Sequence, residues 1–391
     1  MASPAADPLA LDALSSQIFL LSLVLTALLL PAALASRSPF HHLACLLAFL
    51  AATLATVSVT LLPLLFIAWE TTALFLWGLR RLAEDDDHPP YTPMSAAGSF
   101  LFLLALTGRA IEGQTLQIVP LAADRAVLLA LGVLLGGTLK ILSLLAETIP
   151  GPRHGPDVGR ALAASGGGLV LLLYPSLRLN ILGLASREDR ERLLLLTLAL
   201  AIGLAGLALV RATPRACLTA LTIGQLVALT AAGSLEAVAR PETTIWLVTW
   251  SGASAGGFLT LGLAVPMVGP SESAPLRGLA LRAPGLGIVW GILGLALVGL
   301  PPASGLAVWV VGRGSDLPWP GAWAAVLALE GLGIARLSWP LFQGGLRPPQ
   351  RSVALPDYLG LVGPVGLVLA LGLAGQRIAG WLLVVGQSGR F

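Results

Sequence analysis

The 391-residue sequence is 56% hydrophobic and 11% charged with a mean hydropathy of +0.87, far too little polar surface to cover a water-soluble globule of that size. Its apolar runs are long and rich in Leu, Ala, Gly and Val rather than short and alternating, which excludes an outer-membrane barrel and leaves an all-α polytopic transmembrane helical bundle. The net charge of +3 is spread over loops and implies no nucleic-acid surface, and Cys45 and Cys217 lack the spacing of a disulfide framework or a metal site.

Residues 1–14 are polar, carry Asp7 and Asp12 but no Lys or Arg, and so argue against a cleavable secretory signal. The first helix is expected to stay in the protein. Apolar spans then follow at 15–36, 40–59, 61–82, 95–108, 125–148, 157–178, 192–211, 215–238, 243–265, 280–312, 320–343 and 356–386, about twelve helices. The stretches between them are short, so 1–391 reads as one integral membrane domain with no soluble part to host an enzyme site.

Two places interrupt the spans. "LAETIPGPRHGPD" (145–157) carries Pro150, Gly151, Pro152 and Pro156, and "GLPPASG" (299–305) carries Pro301, Pro302 and Gly305. Broken helices at membrane depth are tolerated where they pack in protein or line a polar cavity, and in transporters they frame ion paths. "RRLAEDDDHPP" (80–90) reads as a solvated loop, because the consecutive Asp85, Asp86, Asp87 and His88 do not easily converge on one ion. Arg is divided about evenly between alternate loops, so charge assigns no orientation.

The third span, "LPLLFIAWETTALFLWGLRRL" (62–82), has one carboxylate near its middle, Glu70. An acidic residue at the centre of a membrane helix opposes insertion by roughly 2.5–3.5 kcal/mol, so Glu70 needs something to offset it. Of the 23 basic residues a single one is lysine, Lys140, inside the fifth span. A desolvated ammonium can release its proton and a guanidinium in practice does not, which gives this lysine a use that arginine lacks; a GC-rich genome with one leftover lysine gives the same count. If the third and fifth helices pack side by side, Glu70 and Lys140 offset each other's desolvation and are poised to exchange a proton. Glu147 follows Lys140 by seven residues on the same helix face and extends the polar line toward the first break. The alternative is a helix-pairing lock without proton chemistry.

"LFIAWE", "GTLKILSLLAE" with its later "PD", "ATPRACLTALTIGQLVALTAAG" and "LRAPGLGIVWGILGLALVGLPPASG" occur in this order over residues 55–345. Together they resemble the antiporter-like membrane subunits of respiratory complex I, of Mrp-type cation/proton antiporters and of membrane-bound hydrogenases. Among these the chain is most similar to complex I subunit N, called subunit 2 in mitochondria. The resemblance implies antiporter-like inverted repeats with two broken helices and no cofactor or metal of its own. It also implies other membrane subunits of a complex I-like assembly as partners and, as location, the bacterial inner (plasma) membrane. In the family a fifth-helix glutamate and a seventh-helix lysine pair on a central hydrophilic axis. Glu70 and Lys140 take those places two helices earlier, which implies a shortened N-terminal part.

The departures from the family bear on function. Glu147 stands where the family has a His, and the pattern resumes only at Pro156 and Asp157. The central titratable group is missing from "AASGGG" (163–168), and Trp309 occupies the place of a lysine beyond the second break. What remains in the second half is Glu330 with Arg336, at most two turns apart, and Arg211 and Arg215 at a helix junction, the latter either a snorkelling loop arginine or a channel residue. Proton-translocating roles therefore fall to Glu70, Lys140, Glu147 and Glu330. A non-pumping scaffold subunit of the same complex and a stand-alone cation/proton antiporter are the other readings. The missing second-half lysine counts against the last, and no nucleophile with a base or metal-spaced cluster supports a membrane enzyme.

Overall fold

The computed structural model describes residues 12–36, 38–82, 93–113, 118, 126–145, 157–179, 187–211, 213–235, 241–268, 277–300, 319–343 and 355–388. The described regular structure is helical with no strand. The helices are α1 (Ala13–Leu34), α2 (Pro39–Ser58), α3 (Leu62–Leu82), α4 (Pro93–Gly113), α5 (Ala126–Leu145) and α6 (Val158–Arg178). They continue as α7 (Arg187–Val210), α8 (Pro214–Leu235), α9 (Pro241–Val268), the single turn α10 (Leu279–Arg282), α11 (Pro284–Val298), α12 (Pro320–Ser338) with a 3-10 turn Trp339–Phe342, and α13 (Leu355–Ser388). Among the described residues nine helices are long and apolar enough to cross a bilayer, and the chain is an integral membrane protein.

Local sequence sets where the helices start. Proline opens α2, α4, α8, α9, α11 and α12, where its missing N–H is one the helix leaves unused anyway. Asp12 caps α1 by accepting the Ser15 backbone N–H at 2.8 Å, and Asp157 caps α6 by accepting that of Arg160 at 3.1 Å.

The span expected at 280–312 is not one helix. Pro284 lacks an N–H and pushes Ala283 out of the helical region (φ −140°, ψ 75°), so α10 is cut off from α11. At its far end α11 stops at Gly299, whose φ of +79° is open to glycine and strained for other residues. The chain is non-helical at Gly299 and Leu300, the start of the expected second break. Pro301, Pro302, Gly305 and Trp309 lie outside the described residues, as do Glu147, Pro150 and Pro156 of the first break and the acidic loop 85–88.

Helix α6 is the hub, with residues 158–176 all buried. Around it pack α1, α3, α5, α8 and α9, and farther out α2 and α13 with α1, α4 with α5, and α7 with α8 and α12. Leu20, Leu47, Phe100, Leu104, Leu196 and Ile288 are exposed on the outer helices, as a hydrocarbon surrounding permits. Within α6 the backbone widens to π-helical turns at Ala163–Gly167 and Leu169–Leu173. The glycines there admit neighbours from four helices. A Cβ on Gly166 would lie 2.8 Å from the Phe49 ring, on Gly167 2.8 Å from Leu76, and on Gly168 2.8 Å from Leu226 and 2.9 Å from Trp250. The segment without a titratable group is thus a packing node.

Candidate proton-exchange site

The site begins with the small residues that let α4 and α5 approach. A Cβ on Gly132 would stand 2.7 Å from the Ala105 Cβ, and one on Gly136 would stand 2.9 Å from the Gly98 carbonyl oxygen. Gly132 and Gly136 share a face of α5, and Lys140 lies one turn further along that face. Gly137, pointing elsewhere, lets the Leu171 carbonyl of α6 come within 2.7 Å of where its Cβ would be.

On this frame Lys140, fully buried, meets Glu70 of α3. The ammonium donates to Glu70 Oε2 at 2.7 Å, to Oε1 at 2.9 Å and to Ser99 Oγ of α4 at 2.6 Å. Ser99 in turn donates to the Ser95 carbonyl at 2.9 Å. An ammonium has three N–H donors, and these contacts engage all of them. Beside them the Lys140 Nζ lies 5.0 Å from the centre of the Trp69 ring, a cation–π contact. The indole is fixed on both sides: its N–H donates to the Leu171 carbonyl at 2.9 Å, and its ring stacks on Phe102 with centroids 4.4 Å apart. The Glu70 side chain keeps 20% of its surface exposed, so the pair is closed on the lysine side and open on the carboxylate side.

The other residues singled out in the sequence stand apart from this pair. Glu330 is buried on α12, which packs on α7, α8 and α11, none of them a helix of the pair. Arg336 does not pair with Glu330; its Nη1 donates to the Ala208 carbonyl at 3.0 Å and to the Leu209 carbonyl, tying α12 to the end of α7. Arg215 is half-buried and acts electrostatically on the buried Asp157, whose Oδ2 accepts from Arg160 Nη1 at 2.6 Å. That position makes Arg215 a packed helix-start residue. Among the described residues no group of three or more His, Cys, Asp or Glu is placed to hold a metal.

Sequence reasoning missed Ser99, Trp69 and Asp157–Arg160 as parts of polar clusters. Trp69 adjoins Glu70 in "AWE" and the paired glycines precede the lysine in "LGGTLK", which were the available signals. Nothing local marks Ser99 among the many serines of these helices.

No protein-family model matches the chain, and no curated protein is similar to it in sequence. Solved structures do share its fold. A chain of respiratory complex I from Thermus thermophilus superposes with a TM-score of 0.74 at 19% identity, over 97% of this chain and 88% of that one. A chain of the Mrp complex from Dietzia sp. DQ12-45-1b has a TM-score of 0.72 at 19% identity over 96% of this chain, which spans only 44% of that longer chain. A chain of the archaeal membrane-bound sulfane sulfur reductase has a TM-score of 0.72 at 15% identity, over 96% of this chain and 67% of that one. The bundle therefore shares its fold with these chains of respiratory and Mrp complexes.

Proposed function

We propose that this chain is an antiporter-like subunit of a redox-driven membrane complex related to complex I, in the bacterial inner membrane, where Glu70 and Lys140 take part in moving protons. Electron transfer belongs to other subunits, and this one holds no cofactor. The observation that carries the reading is the Glu70–Lys140 contact at 2.7 Å, made by the single lysine of the sequence. Proton exchange at such a pair needs a cation that can become neutral. When the ammonium gives up a proton, the carboxylate loses its counter-charge, Ser99 and Trp69 lose a cationic partner, and the balance returns when a proton arrives. The exposed side of Glu70 offers the route by which protons reach the pair. The same reading puts the continuation of the path at Glu147, seven residues after Lys140 in the sequence.

The packing of Gly166, Gly167 and Gly168 favours a second reading, a scaffold subunit of the same kind of complex. Where a central ionisable group would relay protons, Phe49, Leu76, Leu226 and Trp250 fill the space instead. Lys140→Arg separates the two readings, since it keeps the charge and removes the ability to deprotonate in practice. In the assembled complex in sealed vesicles, protons moved per electron should fall with Lys140→Arg nearly as far as with Lys140→Met. An assembled Lys140→Arg complex that pumps at the unmodified ratio leaves the scaffold reading.

A further inference from the structure

Glu330 is the opposite of Glu70 in its surroundings. It is 0% exposed, and its one hydrogen-bond donor among the described residues is neutral: Gln225 Nε2 of α8, 3.1 Å from Oε2. Among the described residues its Oε1 has no hydrogen-bond partner. The same amide group of Gln225 also donates to the Leu297 carbonyl, one residue before the end of α11. The last carbonyls of a helix have no donor within it, and α11 ends where Gly299 turns to positive φ, so Gln225 serves both the acid and an orphan acceptor at the broken end.

The described charged and titratable groups on the neighbouring elements are engaged or placed elsewhere. Arg336 on α12 itself is bound to α7 carbonyls, and Cys217 on α8 directs its Sγ at the Gly333 carbonyl, 3.9 Å away. Arg215 stands at the start of α8 beside Asp157, Arg211 follows the end of α7 on the exposed surface, and Glu191 and Arg192 lie toward the opposite end of α7. The described residues of α11 carry no charge.

An ionised carboxylate buried with a single neutral N–H lacks the partners that offset desolvation, whereas a carboxylic acid in the same place needs no counter-charge. From this geometry we infer that Glu330 is a proton-binding site in its own right, and that Gln225 links its charge to the broken end of α11. On release, the carboxyl O–H bond breaks, the proton passes to water and the electron pair stays on the carboxylate. The charge strengthens the Gln225 N–H bond to Glu330 at the expense of the one to Leu297, loosening the end of α11. Rebinding a proton reverses both changes. This site does not depend on proton exchange at Glu70 and Lys140.

The test is infrared spectroscopy of the full chain, with the subunits that copurify, in lipid vesicles at neutral pH. Relative to the unmodified chain, Glu330→Gln should remove one protonated-carboxyl C=O band and Glu70→Gln none; a spectrum unchanged by Glu330→Gln overturns the inference. Glu330→Asp, which should move the band without removing it, keeps the assignment accessible if the Gln variant does not fold. Gln225→Leu should shift the band to higher frequency, because the carbonyl loses its N–H donor, and an unshifted band refutes the link through Gln225. Replacing choline by sodium at constant ionic strength should leave the band intact. Its loss in sodium would make Glu330 a cation-binding carboxylate and overturn the proton assignment. Since the readout is the acid itself and not pumping, it stands or falls separately from the role of Lys140.

Discussion

Gly98 of α4 and Gly136 of α5 touch backbone to backbone: a Cβ on Gly98 would lie 2.8 Å from the Gly136 carbonyl oxygen and 3.1 Å from the backbone nitrogen of Lys140. Apolar helices gain no hydrophobic advantage from each other inside lipid, so they associate where small residues let backbones come close. This contact sets how far Ser99 stands from the Lys140 ammonium.

Gly98→Val should therefore act on the charge site through the backbone. Neither helix backbone can yield like a flexible side chain, and overpacking of this kind destabilises by about 1–3 kcal/mol. Thermal unfolding in detergent should show the loss, and a cysteine pair placed on the facing surfaces of α4 and α5 should cross-link more slowly. Unaltered cross-linking in a folded variant would show that the glycines do not set the spacing.

The Glu70–Lys140 pair predicts a non-additive cycle. Removing one partner of a buried pair destabilises by about 3–5 kcal/mol, because the other charge remains, while removing both can be close to neutral. Glu70 is partly exposed, so the lower end of that range applies to Lys140→Met and the upper end to Glu70→Gln, which strands the fully buried lysine. The double variant should unfold at a temperature nearer to that of the unmodified protein than either single variant does. Simple addition of the two losses would mean that the charges do not interact across the bundle.

Gly168→Leu should be among the most damaging single changes in α6, since Leu226 and Trp250 already stand where the new side chain must go. Large side chains forced into such a node disrupt packing by about 1–3 kcal/mol or more. Loss of near-ultraviolet signal from Trp250, or failure to accumulate in the membrane, is the expected outcome. A Gly168→Leu chain as stable as the unmodified one would mean that α6 has room at its centre after all.

The start of α1 carries a pH-sensitive tie outside the membrane-spanning segments. Partial burial pushes the Asp12 carboxyl up, but the Ser15 N–H and hydroxyl and the Arg178 guanidinium outweigh it and hold its pKa below the usual value. A group with a depressed folded-state pKa contributes stability that is present above its unfolded pKa and lost as pH falls through the folded one. Asp12→Asn, which keeps the helix cap and removes the charge, should thus weaken the link between α1 and α6 at neutral pH and make no difference in strong acid. Hydrogen exchange at the start of α1 measures it, and equal protection of both proteins at neutral pH would exclude the ion pair as the tie.

The amino-acid sequence by itself determined that the chain is a helical membrane bundle, because long apolar runs leave no other way to satisfy the backbone in lipid. Its prolines placed the starts of six helices, and the mid-span Glu70 and the single Lys140 marked a charge problem needing a partner. The sequence pointed to these two as a pair, but that they meet, and that Ser99 and Trp69 join them, was decided by tertiary structure. Glu70 and Lys140 are separated by 70 positions and Ser99 lies 41 from Lys140, and helix periodicity says nothing about contacts at that range. Glu330 and Arg336 share a helix, yet Arg336 reaches instead to the end of α7, where orphan carbonyls accept its guanidinium. The sequence likewise read 280–312 as one span broken only at 299–305; Gly299 does end the helix there, but the cut at Pro284 came from the structure. In lipid, hydropathy decides that a segment is inside, and the close approach of small residues decides which helices meet and which polar atoms are left to pair.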